Sequence, residues 1–237
     1  MSRNAIKYLA MAAMFCNHFA YIFLKEGSTG QEVMVDIGYF TAITMCYFLV
    51  EGYHYTRSVK NYALRLLVFG ILSQIPFMLA LKQTNLNMMF SLLLCLGVVW
   101  VTDHVKHKGE RMLWLCVLVI CSIWTDWALL APVFTMLFAN AYGDRKKVTL
   151  AYGKAAGLFL LLNVLSYAKD YGPGMNIIHS VCACIGLLMS GFIIQCVYDK
   201  EKKRKVYGWE KWFFYGFYPV HLLVLWLIRF AKVYIGR

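Results

Sequence analysis

The chain alternates long apolar runs with short polar punctuation, and most runs approach the roughly 16 to 23 residues a helix needs to cross a hydrocarbon core. Spans are predicted near Ile6–Leu24, Met34–Tyr55, Tyr62–Leu81, Met88–Thr102, Met112–Trp124, Trp127–Tyr142, Val148–Tyr167, Asn176–Tyr198 and Trp209–Ile228. The fifth and sixth are short. Fusing them into one bent segment would put the basic clusters Lys106–Arg111 and Arg145–Lys147 on opposite sides of the membrane, against the positive-inside rule. Trp124, Asp126 and Trp127 instead mark an interfacial hairpin. The expected fold is all-α: a polytopic transmembrane helix bundle of about nine spans, forming one domain over residues 1–237, with no internal repeat or soluble appendage.

Composition agrees, with 61% hydrophobic, 16% aromatic and only 15% charged residues among 237. A soluble domain cannot hide that much apolar surface. The net charge of +12 resides in brief inter-helix loops, which suits anionic lipid headgroups and membrane topology rather than nucleic acid. Of the 24 Lys and Arg residues, only Lys25, Lys82, Lys169, Arg229, Lys232 and Arg237 fall on one predicted side, and the other 18 share the opposite side. That bias puts the N-terminus in the cytoplasm and the C-terminus outside, in a multi-pass protein of the cytoplasmic membrane. The basic start of the first run resembles a signal peptide, but without a small-residue cleavage site it reads as a retained span. The eight cysteines lie in apolar stretches without metal-ligand spacing, and are expected to be small buried hydrophobes. Neither a metal nor a prosthetic group is expected.

Polar groups inside the spans carry the candidate chemistry, because each is unfavourable in hydrocarbon unless it meets a partner or water. Lys7 and His18 lie eleven residues apart. That is about three helical turns, so both project from one face, ~16 Å apart along the axis. Met11 and Met14 share the face. His221 of the last span and Gln74 of the third each lie at a depth of ~18 Å, near that of His18. Glu51 lies ~7 Å from the cytoplasmic end of the second span, where Arg65 has similar depth, and an ion pair between them is expected. Tyr47 and His54 extend its polar stripe. Structural readings stand beside these: Glu51 with Arg65 as a packing pair, and His221 bonded to a carbonyl freed by Pro219. His54, His104 and His107 fall at the interface, and His179 faces an outer vestibule.

Several blocks carry a resemblance. "FLVEGYHYTRS" from Phe48 to Ser58 and "KNYALRLLVFGILSQIPF" from Lys60 to Phe77 resemble the core signature of the TraX family. "IKYLAMAAMFCNHF" near the start and "FYGFYPVHLLVL" from Phe214 to Leu225 are similar to its first and last helices. The resemblance implies acyl transfer: the namesake N-acetylates a conjugative pilin, and the family is similar to a wider superfamily of transmembrane acyltransferases. Those enzymes place a basic residue and a catalytic histidine eleven positions apart in the first helix, here Lys7 and His18. Glu51, Arg57, Arg65 and the Tyr218, Pro219, His221 segment match the remaining polar motif residues. The chain departs from the pattern at Asn17, Tyr39 and Ile43, where the superfamily has an aspartate, an arginine and a proline.

The leading expectation is a membrane acetyltransferase using cytoplasmic acetyl-CoA as donor. Lys7, Glu51, Arg57, Lys60 and Arg65 would form the CoA mouth, within a cavity between spans one, two, three and nine. His18 would act as base or acyl carrier, with Asn17, His221 or Gln74 orienting it or supporting an oxyanion. The acceptor would be a peptide amine or a glycan or lipid hydroxyl, exported or embedded among the membrane lipids. Two other classes remain: a permease using His18 and Glu51 for protons or substrate, and a non-catalytic assembly partner.

Overall fold

A computed structural model describes residues 1–167, 172–201 and 208–235. Lys169, Arg237 and the centre of the basic cluster between Lys200 and Lys211 lie outside these residues. The described chain forms helices α1 (Arg3–Phe23), α2 (Thr29–Tyr55), α3 (Val59–Leu81), α4 (Met88–His104), α5 (Lys108–Cys121), α6 (Leu130–Ala141), α7 (Arg145–Tyr167), α8 (Pro173–Phe192) and α9 (Gly208–Ile235). A 3-10 turn at Ser122–Trp124 follows α5, and a π-helical turn at Ile193–Val197 follows α8. No strand occurs among the described residues.

Five segments are long and apolar enough to cross a membrane: Thr29–Tyr55, Val59–Leu81, Arg145–Ser166, Pro173–Val197 and Trp212–Lys232. The protein is therefore a multi-pass membrane protein by helix length and composition. The 14-residue α5 and 12-residue α6 are separate helices, each only ~18 to 21 Å long. The turn joining them is tied inward: Leu86 bridges Thr125, and the amide of Asp126 donates to the Leu86 carbonyl at 2.7 Å. Trp127 and Leu129 hold positive φ values of 59° and 62°, conformations unfavourable for bulky residues that persist only where surrounding contacts fix them. Trp127 stacks on Phe159 and meets Tyr39 edge-on. The predicted hairpin is present, but it packs into the bundle because the neighbouring loop captures its backbone.

Helix starts follow local chemistry. Ser2, Ser28, Ser58 and Asn87 precede α1 to α4, and the side chain of each accepts from a first-turn amide, satisfying donors that a helix leaves orphaned. α2 is the central element, with 67% of its apolar window buried against 22% for α9. It packs on α1, α6 and α8, while α3 packs on α9 and α4. Two close crossings lack room for a side chain. A Cβ on Gly38 would lie 2.3 Å from the Asn17 side chain, and one on Gly186 would lie 2.4 Å from the Asp36 carbonyl oxygen. Thr44, Ser190 and Tyr152 link α2, α8 and α7 through buried hydroxyl bonds of 2.7 and 3.0 Å. The cysteines divide: Cys46, Cys95 and Cys184 are buried, whereas Cys116, Cys121 and Cys196 are exposed on the bundle surface.

Candidate functional site

Helical periodicity aligns Arg3, Lys7, Met11, Met14 and His18 along α1. Arg3, at the start of this stripe, turns to α2, while Lys7 and His18 meet α9 at Phe214, Tyr218 and His221: Lys7 Nζ lies 5.1 Å from the Phe214 ring centroid. At the other end, His18 Nδ1 and His221 Nε2 are 2.7 Å apart, with the rings 9° from parallel. Both histidines are buried, at 6% and 4% exposure.

The hydrogen-bond chain fixes the protons. His221 Nδ1 lies 2.7 Å from the Phe217 carbonyl, which only accepts, so that nitrogen carries a proton. In neutral His221, Nε2 then accepts, and His18 Nδ1 donates to it. His18 Nε2 is left with a lone pair, the form a general base requires. The anchoring carbonyl belongs to Phe217. Pro219, lacking an N–H, frees the carbonyl of Tyr215 four residues earlier, so the expected use of that carbonyl by His221 is not realised.

Two cavities meet beside this pair. The larger, about 420 Å³, is lined by α1, α2, α3, α4 and α9, with Arg3, Lys7 and Arg65 at its polar end. A second, about 150 Å³, contains His18, Asn17, Tyr21, Gln83, Asp126 and Trp127. Met14, Thr41, Met88 and Tyr218 line both, forming their common wall. Burial pushes the carboxyl of Asp126, in the turn between α5 and α6, up to about 6, opposed by the Trp127 backbone amide.

A family model described as TraX protein matches residues 2–229. The chain belongs to the TraX family. A TraX relative from Dichelobacter nodosus, named probable fimbrial assembly protein FimC, serogroup H1, is 31% identical, the match covering 95% of this chain and 97% of the relative. No solved structure matches the chain significantly.

The signature residues of this TraX protein do not all converge. His18 and His221 meet, and Lys7 and Arg65 line one cavity. Glu51 departs from its predicted pairing. It is fully buried, its Oε2 is 3.2 Å from Arg3 Nε, and both its oxygens lie 2.9 Å from the donating Tyr198 hydroxyl. Arg65 turns instead toward aromatic α9: its Nε donates to the Tyr215 hydroxyl at 3.4 Å, and its guanidinium lies over the Tyr62 and Tyr215 rings. Similar depth on antiparallel helices did not make the two side chains face each other. Glu51 is therefore a structural anchor outside the cavity wall, and Arg57 and Lys60 are exposed beyond it.

Asn17 does not touch His18 by hydrogen bond. It packs over Gly38 and donates to the Val35 carbonyl at 3.2 Å, across a tight contact of α1 and α2. Gln74 binds the Asn85 carbonyl and both the amide and side chain of Asn87, securing the link between α3 and α4. His54 is exposed and stacks on Tyr142, and His179 pairs with Glu32 at 3.4 Å. Three residues escaped assignment to the site from sequence. Arg3 was legible as the preceding position of the Lys7 stripe. Asp126 was visible as a lone carboxylate between tryptophans. Glu210, only 1% exposed and accepting from Asn4 and Tyr8, sits where its burial had no signal in the pattern.

Proposed function

We propose that the protein is a membrane acetyltransferase that moves an acetyl group from cytoplasmic acetyl-CoA to an acceptor on or beyond the far side of the membrane. The observation that carries this reading is the His18–His221 pair, beside a wall shared by two cavities, one of which ends in Arg3, Lys7 and Arg65. With about nine spans and a cytoplasmic N-terminus, that basic end faces the cytoplasm, where guanidinium and ammonium groups suit the phosphates of CoA. The pantetheine arm extends the thioester along the α1 stripe toward the common wall. His18 Nε2 takes the proton of an acceptor amine or hydroxyl arriving through the smaller cavity. The fimbrial-assembly name of the relative supports an exported fimbrial or pilin subunit as acceptor, in the cytoplasmic membrane.

The same name favours a second reading, in which the protein assists fimbrial assembly without catalysis. Purified protein in detergent or nanodiscs, given acetyl-CoA and candidate acceptor peptides, should release CoA, and His18→Ala should reduce turnover to background. Equal turnover by both proteins would eliminate His18 catalysis. Absence of wild-type turnover, with normal fimbriation in a His18→Ala strain, would establish the assembly reading.

A further inference from the structure

Acyl transfer at a thioester places negative charge on the carbonyl oxygen, and a buried site needs a fixed donor for it. The two amides offered for this by the sequence, Asn17 and Gln74, are engaged with backbone groups elsewhere. One polar side chain at the junction keeps a proton without an acceptor among the described residues: Tyr218. It is 2% exposed and lines both cavities. Its ring stands edge-on to His18 with centroids 6.2 Å apart.

The local fold explains why that proton is available. Asn87 caps α4, and its Oδ1 accepts the Met89 amide at 3.0 Å. The first amide of the helix, Met88, donates instead to the Tyr218 hydroxyl oxygen at 3.4 Å. The phenol thus receives a hydrogen bond from the positive end of a 17-residue helix, which polarises its own O–H and strengthens it as a donor. Gln74 and Asn87 hold that helix end in place. Met88 itself borders both cavities, so the positive end of α4 and the phenol face the same space.

We infer that the Tyr218 hydroxyl, backed by the N-terminus of α4, is the oxyanion donor of the transfer step. This rests on the acetyltransferase reading above. In that step His18 Nε2 removes the acceptor proton while the acceptor heteroatom bonds to the thioester carbon. The carbonyl π electrons move to oxygen, and Tyr218 O–H donates to the resulting oxyanion without losing its proton. Collapse re-forms the carbonyl and breaks the C–S bond, and the CoA thiolate takes the proton from the His18 imidazolium. The acceptor leaves acetylated and CoA leaves as thiol.

Steady-state kinetics of the full-length protein test the assignment. Tyr218→Phe keeps the ring and removes the donor, so kcat should fall about 100-fold with the KM for acetyl-CoA unchanged within about twofold. A raised KM with intact kcat, or no change in either, overturns the inference while leaving His18 catalysis standing. Wild-type protein without turnover removes the acetyltransferase reading and this inference together. If Tyr218→Phe loses its fold, 3-fluorotyrosine at position 218 decides: this stronger donor of nearly the same shape should raise kcat, and an unchanged kcat refutes the assignment.

Discussion

Arg3→Ala should be among the most damaging single substitutions near the basic end of the larger cavity, although Arg3 carries no signature of catalysis. The side chain is 29% exposed, whereas its partner Glu51 is 0% exposed, so removing the arginine leaves a sealed carboxylate without its cation. Breaking a buried pair from one side costs about 3 to 5 kcal/mol. Because water reaches Arg3, and because the Tyr198 hydroxyl still donates to Glu51, the lower end of that range applies. The reverse change is milder. Glu51→Gln retains volume and the Tyr198 contact, and strands only an arginine that also donates to the Phe48 carbonyl at 3.0 Å and can reach solvent. A loss of about 1 to 2 kcal/mol follows. The double variant should therefore be more stable than Arg3→Ala alone. Thermal or denaturant unfolding in one detergent, run as a double-mutant cycle beside Arg65→Ala, measures the coupling. Additive losses for Arg3 and Glu51, or a larger coupling of Glu51 to Arg65, would refute the pairing.

Replacing His221 with Leu should lower kcat by roughly tenfold or more, by removing the acceptor that fixes the His18 tautomer, with little change in the KM for acetyl-CoA; parallel losses in both parameters would contradict that role. Gly186→Ala and Gly38→Ala should each destabilise by about 1 to 3 kcal/mol or beyond, because the added methyl meets the Asp36 carbonyl oxygen at 2.4 Å in the first case and the Asn17 Cβ, fixed to the α1 backbone, at 2.4 Å in the second; melting temperatures in matched detergent check this, and an unchanged value for either variant would refute that crossing. Asp126 supplies a pH test. Its folded-state pKa of about 6 lies above the ordinary 3.8, so the native state holds the proton more tightly than the unfolded state, and stability falls as pH rises from about 4 through 6. Asp126→Asn should flatten that part of the melting-temperature profile, and a profile unchanged by the substitution would count against burial of the carboxyl.

The sequence made the helices legible because hydrophobic length is a local property that any window of the chain reports; among the described residues five segments are long and apolar enough to cross a membrane, against about nine expected spans. The His18 and His221 partnership was legible for a related reason: both lie at comparable depth, and few polar groups compete for a partner there. Depth failed for Glu51 and Arg65, since it leaves rotation about each helix axis undetermined. Glu51 faces α1 and the end of the π-helical turn, while Arg65 faces the aromatic surface of α9. Asn17 and Gln74 differ again, as each meets nearby backbone at a helix crossing or loop, a demand that polarity alone does not disclose. Tyr218 stood within a recognisable segment, but its unengaged proton depends on Met88, 130 positions away.

The two histidines ride on helices whose main packing partners differ. His18 rides on α1, locked to α2 and through it to α8, while His221 and Tyr218 ride on α9, which packs chiefly on α3. The geometry proposed to be reactive therefore lies across the contact of α1 and α9, and a shift of one helix by as little as about 1 Å is enough to spoil alignment. Bilayer thickness and lateral pressure, which act on helix tilt, become settings of the proposed chemistry as well as of the fold, so lipid composition is an experimental variable to be controlled with the same care as substrate concentration.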